Sequence, residues 1–235
     1  MPRRGLFESG GVVFHVLNRG VRRMALFEDA AAYRAFLRVL CEGQDRTSIR
    51  LLAYCVMPNH FHLVLWPDRD GQLVEFMQWF QMVHARRWHR YRVVDGTGAL
   101  YQGRYKAFPI QEDGHFVTVC RYVERNPLRA RLVARAEDWP WSSLGQRCRN
   151  CEGPRLEPWP IPQPPAWLEL VNGGEAPVDL EAVRSAVAHS VPYGAPEWTE
   201  QAISRGLGRR PMRGRPPQTP STEDSGSKNI PGLFC

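Results

Sequence analysis

The stretch MPNHFHLVLW, residues 57–66, decides the fold of this chain, because a turn dipeptide leads directly into an apolar run typical of a β-strand. Successive side chains of a strand point to opposite faces, so His60 and His62 project to the same face. Phe61 and Leu63 then project to the other face, toward a core. The run therefore predicts a strand that is apolar on one side and carries two imidazoles on the other.

The two histidines make half of a metal site. A divalent ion used in catalysis needs at least a third ligand and an open position for substrate, and the residues from Leu63 to Trp66 supply no further histidine or carboxylate. The alternative is a pair of surface histidines on the solvated face of an amphipathic strand. An isolated His-x-His leaves both interpretations open, and a third ligand has to come from another part of the chain.

Apolar periodicity around this strand predicts the element order β-α-β-β-α-β. Strands are indicated by β-branched and aromatic runs that end in turn residues, and helices by apolar residues spaced three and four apart. The predicted segments are a strand at 11–18, a helix capped by Asp29 and running through Cys41, strands at 49–56 and 60–66, a helix from Leu73 to Tyr91 and a strand at 101–110.

Length and charge narrow the class of protein. The 235 residues, 43% of them hydrophobic, are enough for one sizeable core and a small accessory module. No apolar run approaches the length of a membrane span and no signal peptide follows Met1, which predicts a cytoplasmic protein. Residues 1–150 hold 23 Lys and Arg against 14 Asp and Glu, a net charge of +9, whereas residues 151–235 hold 8 against 10. Nearly all the positive charge is arginine, which suits contacts with nucleic-acid phosphates.

Basic residues gather in the loop after the first strand, in the second half of the second long helix and in the strand at 101–110. A strand that alternates aromatic and basic residues is typical of proteins that stack bases and contact phosphates. Solvated loops and helix ends have a similar composition, which is the alternative. The candidate nucleic-acid contacts are Asn18, Arg19, Arg22, Arg86, Arg87, Arg90, Arg104, Lys106 and, on the following helix, Arg121.

A third helix places a tyrosine beside an amide. Tyr122 and Asn126 are four residues apart and hence neighbours along one flank, and Pro127 predicts that Asn126 lies at the helix end. A phenol next to an amide, with two histidines on a nearby strand, resembles a nucleophile beside a third metal ligand. A partly buried tyrosine and a capping asparagine are the alternative, and this helix alone leaves it open.

Five spaced motifs occur together between about residues 10 and 145. They are Asn18-Arg19-Gly20, MPNHFH (57–62), QGRY (102–105), YVERNPLRA (122–130) and WPWSS (139–143). The combination resembles the single-tyrosine HUH transposases, and among them the REP-associated tyrosine transposases. This resemblance implies an α+β fold in which a ferredoxin- or RRM-like antiparallel sheet carries packed helices (the HUH fold), which agrees with the element order above.

The resemblance also implies a chemistry. His60 and His62 match the metal ligands of the family. Tyr122 matches the nucleophilic tyrosine, and Asn126 matches a third ligand that is Gln in many simpler members. The implied cofactor is Mg²⁺ or Mn²⁺, the implied partner is single-stranded or hairpin DNA, and the implied product is a 5′-phosphotyrosine that makes the protein a DNA nicking and joining enzyme. A non-catalytic hairpin-binding protein that keeps the fold is the alternative, and monomer and homodimer both stay open.

Composition divides the chain further. We expect the HUH transposase domain at residues 1–150, a Pro-rich linker at 151–178, a small helical accessory region at 179–210 and a disordered tail at 211–235. Within the accessory region, Asp179 should cap a helix that runs to Ser190. A second short helix should begin at Pro196 and be closed by Gly206.

Overall fold

Helices alternate with the strands of one sheet in the first half of the chain and follow one another in the second half. The structure is a computed structural model that describes residues 9–92 and 98–208, and the expected disordered tail at 211–235 lies outside these residues. The strands are β1 (Val13–Arg19), β2 (Arg50–Met57), β3 (His60–Trp66) and β4 (Lys106–Ile110). The helices are α1 (Ala30–Thr47), α2 (Gln72–Arg92), α3 (Gly114–Glu124), α4 (Asn126–Arg129), α5 (Ser143–Arg149), α6 (Trp167–Asn172), α7 (Pro177–His189) and α8 (Pro196–Ser204). None of the helices described has the length and apolar character needed to cross a membrane.

The four strands form one antiparallel sheet in the order β2-β3-β1-β4. β2 and β3 are the predicted hairpin, in which Met57 pairs with His60 across the turn. β1 lies between β3 and β4, so Leu17 is opposite His62 on one side and opposite Lys106 on the other. The order β-α-β-β-α-β and the expected class, an α+β fold with helices packed on an antiparallel sheet, are confirmed.

β4 is shorter than the predicted strand at 101–110. Only Lys106–Ile110 joins the sheet, while Tyr101 makes an isolated bridge to Gly20. Tyr101 and Tyr105 are buried, and the hydroxyl of Tyr101 lies 2.7 Å from Nδ1 of His84. The expected stacking of bases on these two rings is therefore wrong, because an alternation of aromatic and basic residues looks the same whether its aromatic side faces a core or solvent.

α1 and α2 cover one face of the sheet. Their apolar stripes bring the rings of Phe36 and Phe80 to Phe61 of β3, with centroids 5.2 and 5.8 Å apart. Asp29 caps α1 as predicted, since its carboxylate accepts a hydrogen bond from the N–H of Ala32 at 2.8 Å. The apolar side of the histidine strand thus faces this core, as the alternation predicted.

α3, α6 and α7 cover the opposite face, to which the histidines project. Val64 and Phe108 pack there against Phe116 of α3, while Trp167 of α6 joins the same core. The face is not solvated, because the side chain of His62 is buried, with 3% of the residue exposed. The interpretation of two surface histidines on an open strand is therefore wrong.

The second half of the chain lies along both edges of the sheet. The Pro-rich stretch at 151–178 passes beside β2, where Leu156 bridges Leu51, and it contains α6, a helix that the sequence did not predict. The backbone bonds at the edges are Val56 N–H to Trp141 O (2.9 Å), Glu157 N–H to Leu51 O (2.9 Å) and Tyr193 N–H to Pro109 O (2.9 Å).

The two accessory helices begin and end close to their predicted limits. α7 starts before the expected position, with Ala176 as its cap residue and Pro177 in the first turn, so Asp179 lies inside that turn and does not cap the helix. α8 is followed by Gly206, whose φ of +78° is the left-handed conformation that closes a helix, as expected.

Candidate active site

His60 and His62 meet at the start of β3 with their rings edge to face, 5.0 Å between centroids. Each uses Nδ1 in a hydrogen bond: His60 with Oδ1 of Asn59 at 2.7 Å, and His62 with Nε2 of His15 at 2.9 Å. In the part of the chain that the structure describes, Nε2 of neither ring has a hydrogen-bond partner. Both histidines therefore keep the same nitrogen available for a ligand.

The turn before β3 fixes the proton of His60. Nδ2 of Asn59 donates to the carbonyl of Arg23 at 3.2 Å, which turns Oδ1 of the same amide toward the imidazole. An amide oxygen only accepts, so His60 carries its proton on Nδ1 and a lone pair on Nε2. This is the tautomer in which a histidine binds a metal through Nε2.

Both rings are neutral at physiological pH. Burial lowers the pKa of His60 to about 4, and the nearby Arg19 guanidinium also acts to lower it. Burial holds the pKa of His62 well below its ordinary value, with smaller contributions from His15 and His60. Neutral imidazole is the form that coordinates cations, so the site needs no change of pH to become competent.

His15 of β1 is a member of this site that the sequence did not reveal. It is fully buried, and its ring stacks on His62 with 14° between the planes. Burial lowers its pKa to about 3, so it too is neutral. The only sequence signal is that His15 alternates with Val13 on a predicted strand, and the pairing of β1 with β3 that brings it to His62 is not visible in the sequence.

Tyr122 approaches the histidines from α3. Its ring lies edge-on to His62 with 5.8 Å between centroids, and edge-on to His15 with 6.2 Å. The residue is 8% exposed, and burial raises the pKa of the phenol above its usual value. Tyr122 thus lies beside the histidines of the strand, as predicted.

Arg129 contacts Tyr122 through both its ring and its backbone. The guanidinium carbon lies 4.3 Å from the centroid of the phenol ring, and a guanidinium nitrogen donates to the carbonyl of Tyr122 at 3.2 Å. Glu175, just before α7, accepts from the same guanidinium at 3.0 Å. The positive charge of Arg129 lowers the pKa of Tyr122, opposing burial, while Glu175 raises it.

Asn126 begins α4 directly after α3, not at the end of one continuous helix as predicted. It is 8% exposed, and the structure gives its side-chain amide no hydrogen bond to any described residue; the amide nitrogen is buried without a partner. The amide oxygen is therefore not engaged by any donor among the described residues, and an amide oxygen is a group that can bind a divalent cation.

The donor set fits a divalent cation with mixed nitrogen and oxygen ligands. Within residues 9–92 and 98–208 no three His, Cys, Asp or Glu side chains cluster as metal ligands. A third protein ligand from these residues would therefore be of another type, and the side-chain oxygen of Asn126, which has no hydrogen bond to a described residue, has the chemistry required.

A buried carboxylate anchors the helix that carries Tyr122. Glu124 is fully buried, bonds the side chains of Ser143 and Arg147, and accepts from Nε1 of Trp167 at 2.7 Å. These contacts tie α3 to α5 and α6. The motif YVERNPLRA includes this glutamate, but no pattern in the sequence indicates that its partners lie about 20 and 40 residues further on.

Four of the predicted nucleic-acid contacts line one groove beside His60. Arg19, which lines the groove, pairs with His60 across β1 and β3. The side chain of Asn18 donates to the carbonyl of Gly103 at 3.0 Å, and both residues line the groove. The predicted contacts that line the groove are Asn18, Arg19, Arg104 and Lys106.

Lys106 also makes hydrogen bonds to the accessory region of the protein. Its ammonium donates to the carbonyls of Val187 and Ala188 at 3.3 and 2.9 Å, at the C-terminal end of α7. Cations are favoured at that end of a helix. The lysine therefore joins the accessory helix to the groove.

The other predicted contacts lie elsewhere. Arg86, Arg87 and Arg90 are on α2, which packs on the opposite face of the sheet, and Arg87 is bonded to Glu42 at 2.7 Å. Arg22 is exposed in the loop after β1, with a left-handed φ of 51°. Arg121 donates to the carbonyl of Gly173 at 3.2 Å and also bonds that of Gly174, so it holds the segment before α7.

Comparison with known proteins agrees with this geometry. The family described as "Transposase IS200 like" matches residues 9–126, half of the 235 residues. A putative REP-associated tyrosine transposase of Haemophilus influenzae is 22% identical over 147 residues, which cover 59% of this chain and 82% of that protein. A solved structure described as the REP-associated tyrosine transposase bound to a REP hairpin has a TM-score of 0.51 and 19% identity, covering 70% of this chain and 92% of that one.

The family match places the protein in a class of enzymes that cut and join DNA, the transposases. The chain belongs to the IS200-like transposase family. The resemblance to the single-tyrosine and REP-associated transposases is thereby confirmed, and the solved structure supports the same fold.

Proposed function

We propose that the protein is a metal-dependent single-stranded DNA endonuclease and strand transferase that cuts at hairpin elements through a 5′-phosphotyrosine on Tyr122. The observation that carries the proposal is the approach of the Tyr122 ring to His62, at 5.8 Å, where both strand histidines keep Nε2 unbonded within the described residues. The relative bound to a REP hairpin supports hairpin DNA as the substrate class.

The chemistry follows from the residue types. His60, His62 and Asn126 would hold Mg²⁺ or Mn²⁺, which would supply positive charge beside the scissile phosphate. The Tyr122 oxygen attacks the phosphorus, the bond to the 3′ oxygen breaks, and the phenol proton ends on that departing oxygen. One phosphodiester replaces another, so the 3′-OH of a second strand can reverse the step and join strands without ATP.

Arg129 assists the nucleophile in this proposal. Its guanidinium, 4.3 Å from the ring centroid, stabilises the negative charge that develops on the phenol as the proton leaves. Glu175 and the backbone carbonyl of Tyr122 hold that guanidinium in position. Arg129 is thus a positioning and charge-stabilising residue for Tyr122.

The groove provides a path for the DNA strand. Arg19, which pairs with His60 across β1 and β3, and Arg104 line this groove, and their guanidinium groups suit phosphate contacts. We assign catalysis to residues 1–150, with residues 151–178 and 179–210 supporting the face that carries Tyr122. The alternative is a non-catalytic hairpin-binding protein. Such a protein has no need of the buried hydrogen bond between His15 and His62, or of a buried Asn126 side chain that has no hydrogen bond to a described residue.

The direct test is covalent capture. We expect the protein, mixed with Mn²⁺ and hairpin DNA labelled on the 3′ side of the cut, to form an adduct that survives a denaturing gel, and Tyr122→Phe to form none. Tyr91→Phe is the matched control, because Tyr91 is 67% exposed on α2 and remote in sequence from the motif. An adduct formed by Tyr122→Phe, or adduct formation unaffected by EDTA, would contradict the proposal.

A further inference from the structure

We propose that the hydrogen bond between His15 and His62 couples the position of the His62 ring proton to cation binding, and that His15 thereby controls how tightly the site binds a divalent cation. The inference rests on the proposed function only in taking His62 as a metal ligand. His15 does not touch the cation in this arrangement; it is a positioning residue that acts through His62.

The two rings are held together diagonally across the sheet. Leu17 is the residue directly opposite His62, and His15 reaches it from the next position on the same face of β1. The rings stack with centroids 5.0 Å apart, and Nε2 of His15 lies 2.9 Å from Nδ1 of His62. Phe108 meets His15 edge-on at 4.9 Å, so packing as well as the hydrogen bond fixes the ring.

Two neutral imidazoles can share this hydrogen bond in two ways. In the first, His62 donates from Nδ1–H and its Nε2 carries the lone pair that a cation needs. In the second, His15 donates from Nε2–H, and His62 carries its proton on Nε2, where it blocks the cation. Both arrangements hold the same two ring protons, so the pair changes between them without net proton uptake.

His15 differs in this respect from the usual outer partner of a metal-binding histidine. A carboxylate or carbonyl oxygen can only accept and so enforces the first arrangement, as Asn59 does for His60. Nδ1 of His15 is buried without a partner among the described residues, so nothing there commits the ring to one arrangement. Cation binding has to draw the pair into the first arrangement, and affinity therefore depends on His15.

Calorimetric titration of the full chain with Mn²⁺, without DNA, tests this dependence. His15→Phe keeps a ring of similar size but makes no hydrogen bond, and we expect its Mn²⁺ affinity to fall by about tenfold or more. His15→Gln restores an acceptor and should stay within about threefold of the wild-type affinity. His84→Gln is the matched control, since His84 is a buried histidine on the other face that bonds Tyr101, and its affinity should not change.

One more variant separates the inference from the proposed function. His62→Ala that binds Mn²⁺ as tightly as the wild type, or a wild-type chain that binds no Mn²⁺, overturns the proposed metal site itself. If His62→Ala loses binding while folded His15→Phe retains it, the metal site stands and the role of His15 is wrong.

Ring NMR gives a second readout that does not depend on affinity. Long-range ¹H–¹⁵N correlations of the wild-type chain should show the His62 proton shared between Nδ1 and Nε2 without metal, and on Nδ1 once Zn²⁺, a diamagnetic probe, is added. A His62 proton already confined to one nitrogen in the metal-free chain would overturn the inference. This measurement needs no variant. Should His15→Phe fail to fold, His15→Met, which is of comparable size and makes no strong hydrogen bond, replaces it in the titration.

Discussion

His60 and His62 are equivalent in the sequence motif but not in the fold. His60 is partly exposed and bonds Asn59 in the adjacent turn, whereas His62 is buried and bonds His15. Removing one member of a buried hydrogen-bonded pair leaves the other unpaired, at a cost of about 1–3 kcal/mol. We expect both alanine variants to lose cleavage, but only His62→Ala to lower the free energy of unfolding by that amount. Urea unfolding in EDTA measures the difference, and equal stability of the two variants would contradict it.

Arg129 and Glu175 act on the pKa of Tyr122 in opposite directions. Burial raises that pKa, Arg129 lowers it and Glu175 raises it. Arg129→Met should therefore move the pKa of the nucleophile upward and Glu175→Gln downward. At a pH below the pKa, the phenolate fraction falls about tenfold when the pKa rises by one. At fixed pH we therefore expect adduct formation to be slower in Arg129→Met and faster in Glu175→Gln.

Single-turnover adduct formation between about pH 7 and pH 9.5 measures both changes in the pKa of Tyr122. Arg129→Lys keeps the charge and should recover part of the rate, which a loss of packing alone would not allow. Profiles that move in the same direction for Arg129→Met and Glu175→Gln would show that these residues act through structure and not through charge.

The positions of the candidate site residues were predictable only where a local repeat, such as the alternation of side chains along a strand, determines them. Alternation along β3 was enough to put His60 and His62 on one face. His15 was not predictable, because its contact with His62 depends on the register of β1 against β3. Glu175 was hidden for the same reason, since it reaches Arg129 from 46 residues further along the chain.

α2 carries basic residues on a helix that packs on the face of the sheet opposite the histidines. Arg86 and Arg90 are exposed, whereas Arg87 is held by the carboxylate of Glu42 at 2.7 and 2.8 Å. A guanidinium that contacts phosphate adds affinity without reading sequence, and each such contact contributes about one unit to the slope of log affinity against log salt.

Arg86→Ala should therefore weaken binding to all hairpins alike and reduce the salt slope by about one unit. Arg87→Ala should do less, and Glu42→Gln, which releases Arg87, should strengthen binding. Fluorescence anisotropy over a range of salt concentrations measures the slope. The rate of cleavage in the saturated complex should stay unchanged in all three variants, and a changed order of preference among hairpins in Arg86→Ala would contradict the assignment.

Helices and strands were predicted well where they bury a periodic stripe, and poorly where the chain only lines the sheet. α1, β2, β3 and α2 follow from their patterns. α6 was missed because it lies in a proline-rich stretch. The packing of α6 and α7 on α3 depends on long-range contacts, such as that of Trp167 with Glu124, and these do not follow from any local sequence pattern.

The fold as a whole buries several histidines that have to stay neutral. Burial lowers the pKa of His15 to about 3, of His60 to about 4 and of His84 to about 3. The unfolded chain binds protons to these groups at a pKa of about 6.5, so below that pH it binds more protons than the folded chain. Their contribution to stability is therefore complete above about pH 6.5 and is lost as the pH falls toward about 4.

His84 offers the cleanest measure of this effect, because it lies away from the metal site and bonds Tyr101 at 2.7 Å. Its pKa is lowered from 6.5 to about 3. For a histidine with such a shift, lowering the pH from 7 to 5 lowers the free energy of unfolding by about 2 kcal/mol. His84→Gln retains a hydrogen-bonding group without a titratable one. We expect this variant to lose about 2 kcal/mol less than the wild type over that interval, in urea unfolding followed by circular dichroism with EDTA present. The same loss in both proteins would mean that His84 is protonated in the folded state, and that the acid sensitivity of the fold comes from other groups.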